Sequence, residues 1–426
     1  MPASPRRVSP RVLAVAGAAA LAAVSAPVAA PAALAQEAPE RVLLSPTADP
    51  SRSQTVTWRG PDGGAPVLEI APAGDPGRVS RVEGERTGEA GGAYHRATAT
   101  GLEPGTEYRY RVGDGGEAVT DWLTFTTPAE GAEPFDFLYF GDIQNDISEG
   151  AAPVVRAALE AEPDAELAVH AGDLINSADS DSKWGEWYDA FGTEATGGIN
   201  HVAAPGNHEY SGTRLSGHWA LQFPGAGNGP EGADLPETVS YTDYQGVRFI
   251  TLNSNYRAAA PLSPGAWLET QEEWLRGALE GNPGEWTVVA FHHPVFSNSP
   301  DRDNGPLREA WLETFEEFDV DLVLQGHDHS YARGNLTGNR TEDPAVQTGP
   351  VYAVAVTGPK MYDADESNWT DNGAEVRAQR TDTQTYQAVS VHGGTLDYVS
   401  RTADGEVVDA FTITKDESGK RVTDAS

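Results

Sequence analysis

The stretch Phe135-Asp136-Phe137-Leu138-Tyr139-Phe140-Gly141-Asp142 sets the fold. Five of its first six residues are apolar, and then Gly-Asp ends the run. A short apolar run bounded by a turn signal reads as a buried strand. The same sentence recurs downstream. Glu166 to Ala171 ends at Gly172-Asp173, Ile199 to Ala204 leads into Gly206-Asn207-His208, Trp286 to Phe291 ends at His292-His293-Pro294, and Asp321 to Gln325 ends at Gly326-His327-Asp328-His329. Helical patterns lie between them at 153–159, 183–191, 265–279 and 307–318. Alternating strand and helix predicts an α/β domain. Polar groups that follow the strands sit in the crevice beyond the strands' carboxyl ends.

Those polar groups are carboxylates, an amide and imidazoles. Together they are the inventory for two metal ions sharing one site. Such a pair can grip a phosphate ester and lower the pKa of water beside it. The glycine before Asp142, Asp173, Asn207 and His327 is expected to allow the sharp turn that lets the side chains converge.

Upstream, residues 41–127 read differently. Thr55-Val56-Thr57-Trp58, Val67-Leu68-Glu69-Ile70, Tyr94 to Ala99, Tyr108 to Val112 and Trp122 to Thr127 are short strands between turns such as Pro61-Asp62-Gly63-Gly64. This is an all-β sandwich of the fibronectin type III kind. Residues 37–45 read as a linker into it, and 128–134 as a polar hinge. Residues 211–238, rich in Gly and Pro, read as a long loop over the site. The tail 416–426 reads as disordered.

The bulk numbers narrow the function. A chain of 426 residues exceeds one ordinary core. A net charge of -35 repels nucleic acid and anionic lipid. It does not repel a phosphate substrate where bound cations reverse the local field. With no cysteine, thiolate metal sites and cysteine nucleophiles are excluded. Residues 1–35 read as a secretory signal: Arg6, Arg7 and Arg11 precede an Ala/Val/Leu run, and Ala33-Leu34-Ala35 is a cleavage pattern before Gln36. Val8-Ser9-Pro10 fits a twin-arginine motif poorly, so the general secretory route is expected. Pro27 and Pro31 interrupt the run, and no membrane span is expected after cleavage.

The five ordered motifs and the β-rich first domain together resemble the calcineurin-like metallophosphoesterases, and specifically the purple acid phosphatases. The resemblance covers residues 41–395. It implies a four-layer α/β/β/α catalytic sandwich over 135–415 and two metal ions, iron, zinc or manganese. Asp173 would bridge them, Asp142 and His329 would hold the first, and Asn207, His292 and His327 the second. His208 would touch the phosphate or its leaving group. The implied reaction is hydrolysis of a phosphomonoester, with a hydroxide formed between the ions attacking phosphorus in line. A phosphodiesterase acting on nucleotides or lipid head groups is the alternative, and a phosphate- or cell-wall-binding module the alternative of another class.

Three departures from the family pattern stand out. Asn176 occupies the place of the tyrosine that colours purple phosphatases, so a colourless protein is expected. Gln144 stands two residues after Asp142, where many non-purple members have a histidine; its carbonyl is a candidate first-metal ligand. No histidine follows in the loop 298–304, which leaves His208, Asp301 or water to protonate the leaving group. His293 and Arg333 are candidate phosphate contacts. His170 reads as a core histidine, and His95, His201, His218 and His392 as structural or surface.

Overall fold

Alternation along Phe135–Phe140 sends side chains to two different cores. Phe135, Phe137 and Tyr139 point inward, to a layer shared with Phe249, Val288, Leu324 and Ala353. Leu138 and Phe140 point outward, beneath Val154, Val155, Trp187 and Phe191. The computed structural model in which this is seen describes residues 38–116 and 119–425. The secretory signal read in residues 1–35 lies outside the described residues.

Two sheets face each other across that inner layer. In the first, Phe135–Phe140, Leu167–Ala171 and Asn200–Ala204 run parallel in that order, and Tyr386–His392 adds on antiparallel. In the second, Val247–Thr251, Trp286–Ala290, Leu322–Gln325 and Val351–Val354 run parallel. Helices Ala152–Ala161 and Asp181–Thr196 cover the outer face of the first sheet. Helices Pro264–Glu280 and Gly305–Glu317 cover the second, with Leu275, Trp311 and Phe315 over Ile250, Val289 and Val323. The result is a four-layer α/β/β/α sandwich. Each large apolar side chain buried this way contributes about 1.5–3 kcal/mol, and strands buried on both faces read as unbroken apolar runs.

Ahead of it, two four-stranded layers enclose Trp58, Leu68, Tyr110 and Phe125. Their order is Glu40–Pro46, Ser53–Gly60, Ala93–Thr100, Glu85–Glu89 in one and Ser80–Glu83, Val67–Pro72, Glu107–Gly113, Leu123–Thr126 in the other.

Three expectations are corrected. The described part of the expected 37–45 linker, residues 38–45, is not a linker. Glu40–Pro46 is a strand whose residues after Glu40 are all buried, and it pairs in parallel with the 200–204 strand at Leu44 and Asn200. The first sandwich is thus continuous with the larger sheet. Arg41 and Arg59 add a joint by both binding Asp181. The tail is not disordered up to Asp424. Gly419–Asp424 pairs with Val407–Asp416, buries Val422, and seats Lys420 against Asp319 and Asp321. Finally, the 211–238 loop packs its helix Trp219–Gln222 on the first sandwich, where Thr57 Oγ1 donates to the Gln222 carbonyl at 3.1 Å. Among the described residues no helix is long and apolar enough to cross a membrane.

Candidate metal centre

Parallel strands end together, so their loops share one edge. Phe135–Phe140, Leu167–Ala171 and Asn200–Ala204 deliver Asp142, Asp173 and Asn207 from the first sheet. Trp286–Ala290 and Leu322–Gln325 deliver His292, His327 and His329 from the second. The edges are stitched by backbone contacts: His292 Nδ1 meets the Ala171 carbonyl at 2.9 Å, and His327 N–H donates to Asp142 Oδ2 at 2.5 Å.

The ligand residues themselves carry the turn. Asp142, Asp173, His327 and His329 all have positive φ, at 40°, 52°, 76° and 47°. Such backbone costs of order 1–3 kcal/mol per residue and collects at functional sites. The preceding glycines mainly serve closeness instead. A Cβ at Gly206 would strike the Asp173 carboxylate, and one at Gly326 would strike that of Asp142.

Two ligand groups result. Asp142, Asp173 and His329 offer atoms within 4.8 Å of one another, and so do His292, His293 and His327. Asp173 joins the groups, because its Oδ2 lies 3.2 Å from His292 Nε2. On the acidic side, His329 Nε2 is 3.5 Å from Asp142 Oδ1. On the imidazole side, His292 Nε2 sits 3.1 Å from Asn207 Oδ1 and 3.1 Å from His327 Nδ1. The far nitrogens of His292 and His329 are fixed by carbonyls: Ala171 holds one, and Lys360 holds the other at 2.8 Å. Fixing the far nitrogen turns the near one toward a metal.

The charges fit cations. Burial, with the neighbouring Asp173 charge, pushes the Asp142 carboxyl well above its usual range. Burial would also raise Asp173, but the His292 charge and hydrogen bond outweigh it and hold Asp173 at about 2. His292 answers: burial alone would lower it, yet Asp173 and Asp142 raise it to about 9. Its proton is the positive charge that balances the carboxylates, and a metal ion fits the same balance. Burial holds His293, His327 and His329 down, the last to about 4, so these imidazoles are neutral, the form that binds metal. Among the described residues, Asp142 Oδ1 and Gln144 Oε1 are buried without a hydrogen-bond partner, which a cation would supply.

The other sequence candidates divide. Gln144 is in the cluster: its Nε2 donates to Asp173 Oδ2 at 2.7 Å and lies 3.2 Å from His329 Nε2. His208 donates its backbone N–H to Asp173 Oδ1, while its ring Nδ1 meets the Asn176 carbonyl at 2.8 Å. That leaves Nε2 as the free edge of a half-buried ring. His293 packs against His327, with centroids 4.2 Å apart and the rings tilted by 53°, and its Nδ1 lies 2.8 Å from Ser254 Oγ. Arg333 is corrected. Its guanidinium is 1% exposed and forks onto Asp409, with a further bond to Asp424, so it is unavailable to phosphate. Asp301 is exposed, and among the described residues no hydrogen bond or ion pair ties it to the cluster.

Several supports lie outside the expected ligand set. Buried Glu209 accepts the backbone N–H groups of Asp173, Leu174 and Gly206, and so locks the second and third ligand loops together. Asp328, between two ligand histidines, points away and accepts from Ser297, Asn298 and Arg302. Residues 357–362 strap the site: Gly358 N–H donates to the Asp142 carbonyl and Tyr362 N–H to that of His329. A Gly-Asn-His-Glu run could have drawn attention to Glu209; the strap has no such mark.

Comparisons with known proteins agree with this fold. Residues 39–127 match the purple acid phosphatase N-terminal domain, and residues 135–331 match the calcineurin-like phosphoesterases. An uncharacterized protein of Mycobacterium tuberculosis is 26% identical across 57% of this chain and 50% of its own length. Acid phosphatase type 7 of Homo sapiens is 24% identical across 90% of this chain and 93% of its own. The structure of purple acid phosphatase PPD1 from yellow lupin seeds covers 90% of this chain and 75% of that one at a TM-score of 0.71 and 18% identity, a likeness of fold. The chain spans about half the length of the mycobacterial relative. Residues 135–331 are thus a calcineurin-like phosphoesterase domain, and residues 39–127 ahead of it are the N-terminal domain of the purple acid phosphatases.

Proposed function

We propose that this protein is an exported, dinuclear metal-dependent phosphatase that hydrolyses phosphomonoesters. The observation that carries the reading is the position of Asp173. It belongs to the Asp142/His329 group and also touches His292 of the imidazole group at 3.2 Å. A carboxylate so placed suits a bridge. Asp142 and His329 would hold the first ion, joined by Gln144 if its amide turns Oε1 inward. Asn207, His292 and His327 would hold the second, with His293 beside them. Carboxylate and imidazole together suit iron, zinc or manganese.

When bound, the ions would activate water and neutralise charge on the transferring phosphoryl group. The protein's residues do the rest. Asp173 keeps both ligand groups in register. The carbonyls of Ala171 and Lys360 hold His292 and His329 with Nε2 forward. With Nδ1–H given to the Asn176 carbonyl, His208 in its protonated form can donate from Nε2 to a phosphate oxygen or to the departing alkoxide, which is worth about 10²–10⁴ in rate for a positioned acid. The strand order of the first sandwich supports reading it as fibronectin type III-like, and the basic then apolar stretch of residues 1–35 supports export with cleavage before Gln36. The name of the human relative is consistent with an acid-phosphatase activity here.

The test is turnover of the protein, from Gln36, on a chromogenic phosphomonoester and the matching diester with manganese, zinc or iron. Monoester turnover that disappears in Asp173→Asn supports the phosphatase. Preference for the diester replaces it with a phosphodiesterase, and absence of turnover despite bound ions replaces it with a phosphate-binding protein.

A further inference from the structure

Two segments meet beside the metal ligands. From the 297–302 loop, Arg302 donates from Nη1 to the His327 carbonyl and to Asp328 Oδ1, both at 2.7 Å. From the 357–362 strap, Tyr362 lays its ring against His329, with centroids 4.7 Å apart. Arg302 Cζ lies 5.6 Å, and Lys360 Nζ 5.0 Å, from the centre of that phenol ring. Arginine, tyrosine and lysine therefore form one wall that runs from His327 to His329, along both ligand groups.

The wall keeps donors in reserve. Arg302 uses only Nη1 within the protein; among the described residues its Nε and Nη2 make no hydrogen bond. Its side chain is 25% exposed, while Asp328, which orients it, is fully buried. The Lys360 ammonium likewise has no hydrogen-bonded partner among the described residues, and the lysine is half-buried. In a chain of net charge -35, two cations held at the mouth of a carboxylate-rich site call for an anion.

We propose that Arg302, positioned by Asp328, binds a non-bridging phosphate oxygen through its free guanidinium donors, with Lys360 beside it, and so selects dianionic phosphomonoesters over diesters. The inference rests on the phosphoesterase reading above. A monoester has a second ionisation near pH 6 and carries nearly two charges at neutral pH. A diester carries one, and replaces an acceptor oxygen with an ester group. A planar guanidinium matches two phosphate oxygens, which an ammonium cannot do.

The experiment uses the full metal-loaded protein, Arg302→Gln and Arg302→Lys. Three quantities are read: kcat/KM on a chromogenic monoester, kcat/KM on its diester, and calorimetric binding of orthophosphate. The expected result in Arg302→Gln is a fall of roughly 10- to 100-fold in the monoester-to-diester ratio, expressed mainly in KM, with orthophosphate weakened by a similar factor. Arg302→Lys, which keeps the charge and the tie to Asp328, should recover part of both, and it decides the matter if Arg302→Gln fails to fold. Equal losses on both esters with a lowered melting temperature would reduce Arg302 to a structural tie and overturn the proposal. If the parent turns over neither ester, the phosphatase reading fails on its own. Orthophosphate binding then still decides: undiminished binding in Arg302→Gln, or none in the parent, overturns the role given to Arg302.

Discussion

His170 and Asp173 lie three residues apart on one strand and its turn, yet they belong to opposite worlds. His170 faces the helices. It stacks on His201 at 5.2 Å, with a 2.9 Å contact between ring nitrogens, and is walled by Phe140, Trp187 and Phe191. Burial holds both imidazoles neutral, His201 at about 4 and His170 well below its ordinary value. His292 is just as buried, but Asp173 and Asp142 raise it to about 9. The difference teaches that burial alone makes a histidine a packing residue. Burial beside carboxylates, with the far nitrogen fixed by a carbonyl, makes it a ligand.

The largest effect should come from removing the carboxylate that defines the functional set. Asp173→Asn should lower monoester kcat/KM by about 10⁴-fold, measured at saturating metal. A loss below tenfold would mean that the two ligand groups work without a bridge. Arg333 offers the complementary break, because it is a buried charge outside the site. Arg333→Met leaves the buried Asp409 charge without its cation, with only the Tyr331 hydroxyl donating to it, and should cost about 3–5 kcal/mol in denaturant unfolding, with kcat/KM kept. A kinetic loss at unchanged stability would restore Arg333 to the phosphate.

The structural pair makes its own prediction about pH. His170 and His201 have folded values below the unfolded value near 6.5. Their contribution is therefore complete above about pH 6.5 and is lost as the pH falls from there toward 4. For His201, held at about 4, the loss over that range is on the order of 3 kcal/mol. In the double variant His170→Leu/His201→Leu, unfolding free energies measured at pH 7 and at pH 4.5 should differ by at least about 2 kcal/mol less than in the parent. An unchanged difference would show that the pair does not titrate on unfolding.

His208→Ala should keep its metal and lose about hundredfold in kcat; metal analysis beside the rate assay separates the two effects. The smallest change is optical. With Asn176 in place of tyrosine, the iron-loaded protein should be colourless, and a visible charge-transfer band would contradict that.

How much of this could be read beforehand follows from the same physics. The strand ends were legible because each pairs an apolar run with a ligand type, and local pattern is enough to see that. The strand Glu40–Pro46 was not legible, since its partners at 200 and at 54–59 are chosen by tertiary pairing. The Gly419–Asp424 strand hides behind a polar sequence whose Lys420 is satisfied by the carbonyls of Asp319 and Val320. Arg333 misled because its partner Asp409 lies 76 residues away. Glu209, Asp328 and the 357–362 strap act by holding backbone groups, and such work has no residue pattern of its own.

The central claim is that Asp173 makes one dinuclear site of two ligand groups. The most direct test is metal stoichiometry by elemental analysis of the purified protein and of Asp173→Asn, each after equilibration with manganese, zinc or iron. Two ions per chain in the parent, with both weakened in the variant, is the predicted result. One ion per chain, or two that survive the substitution, would contradict the bridge.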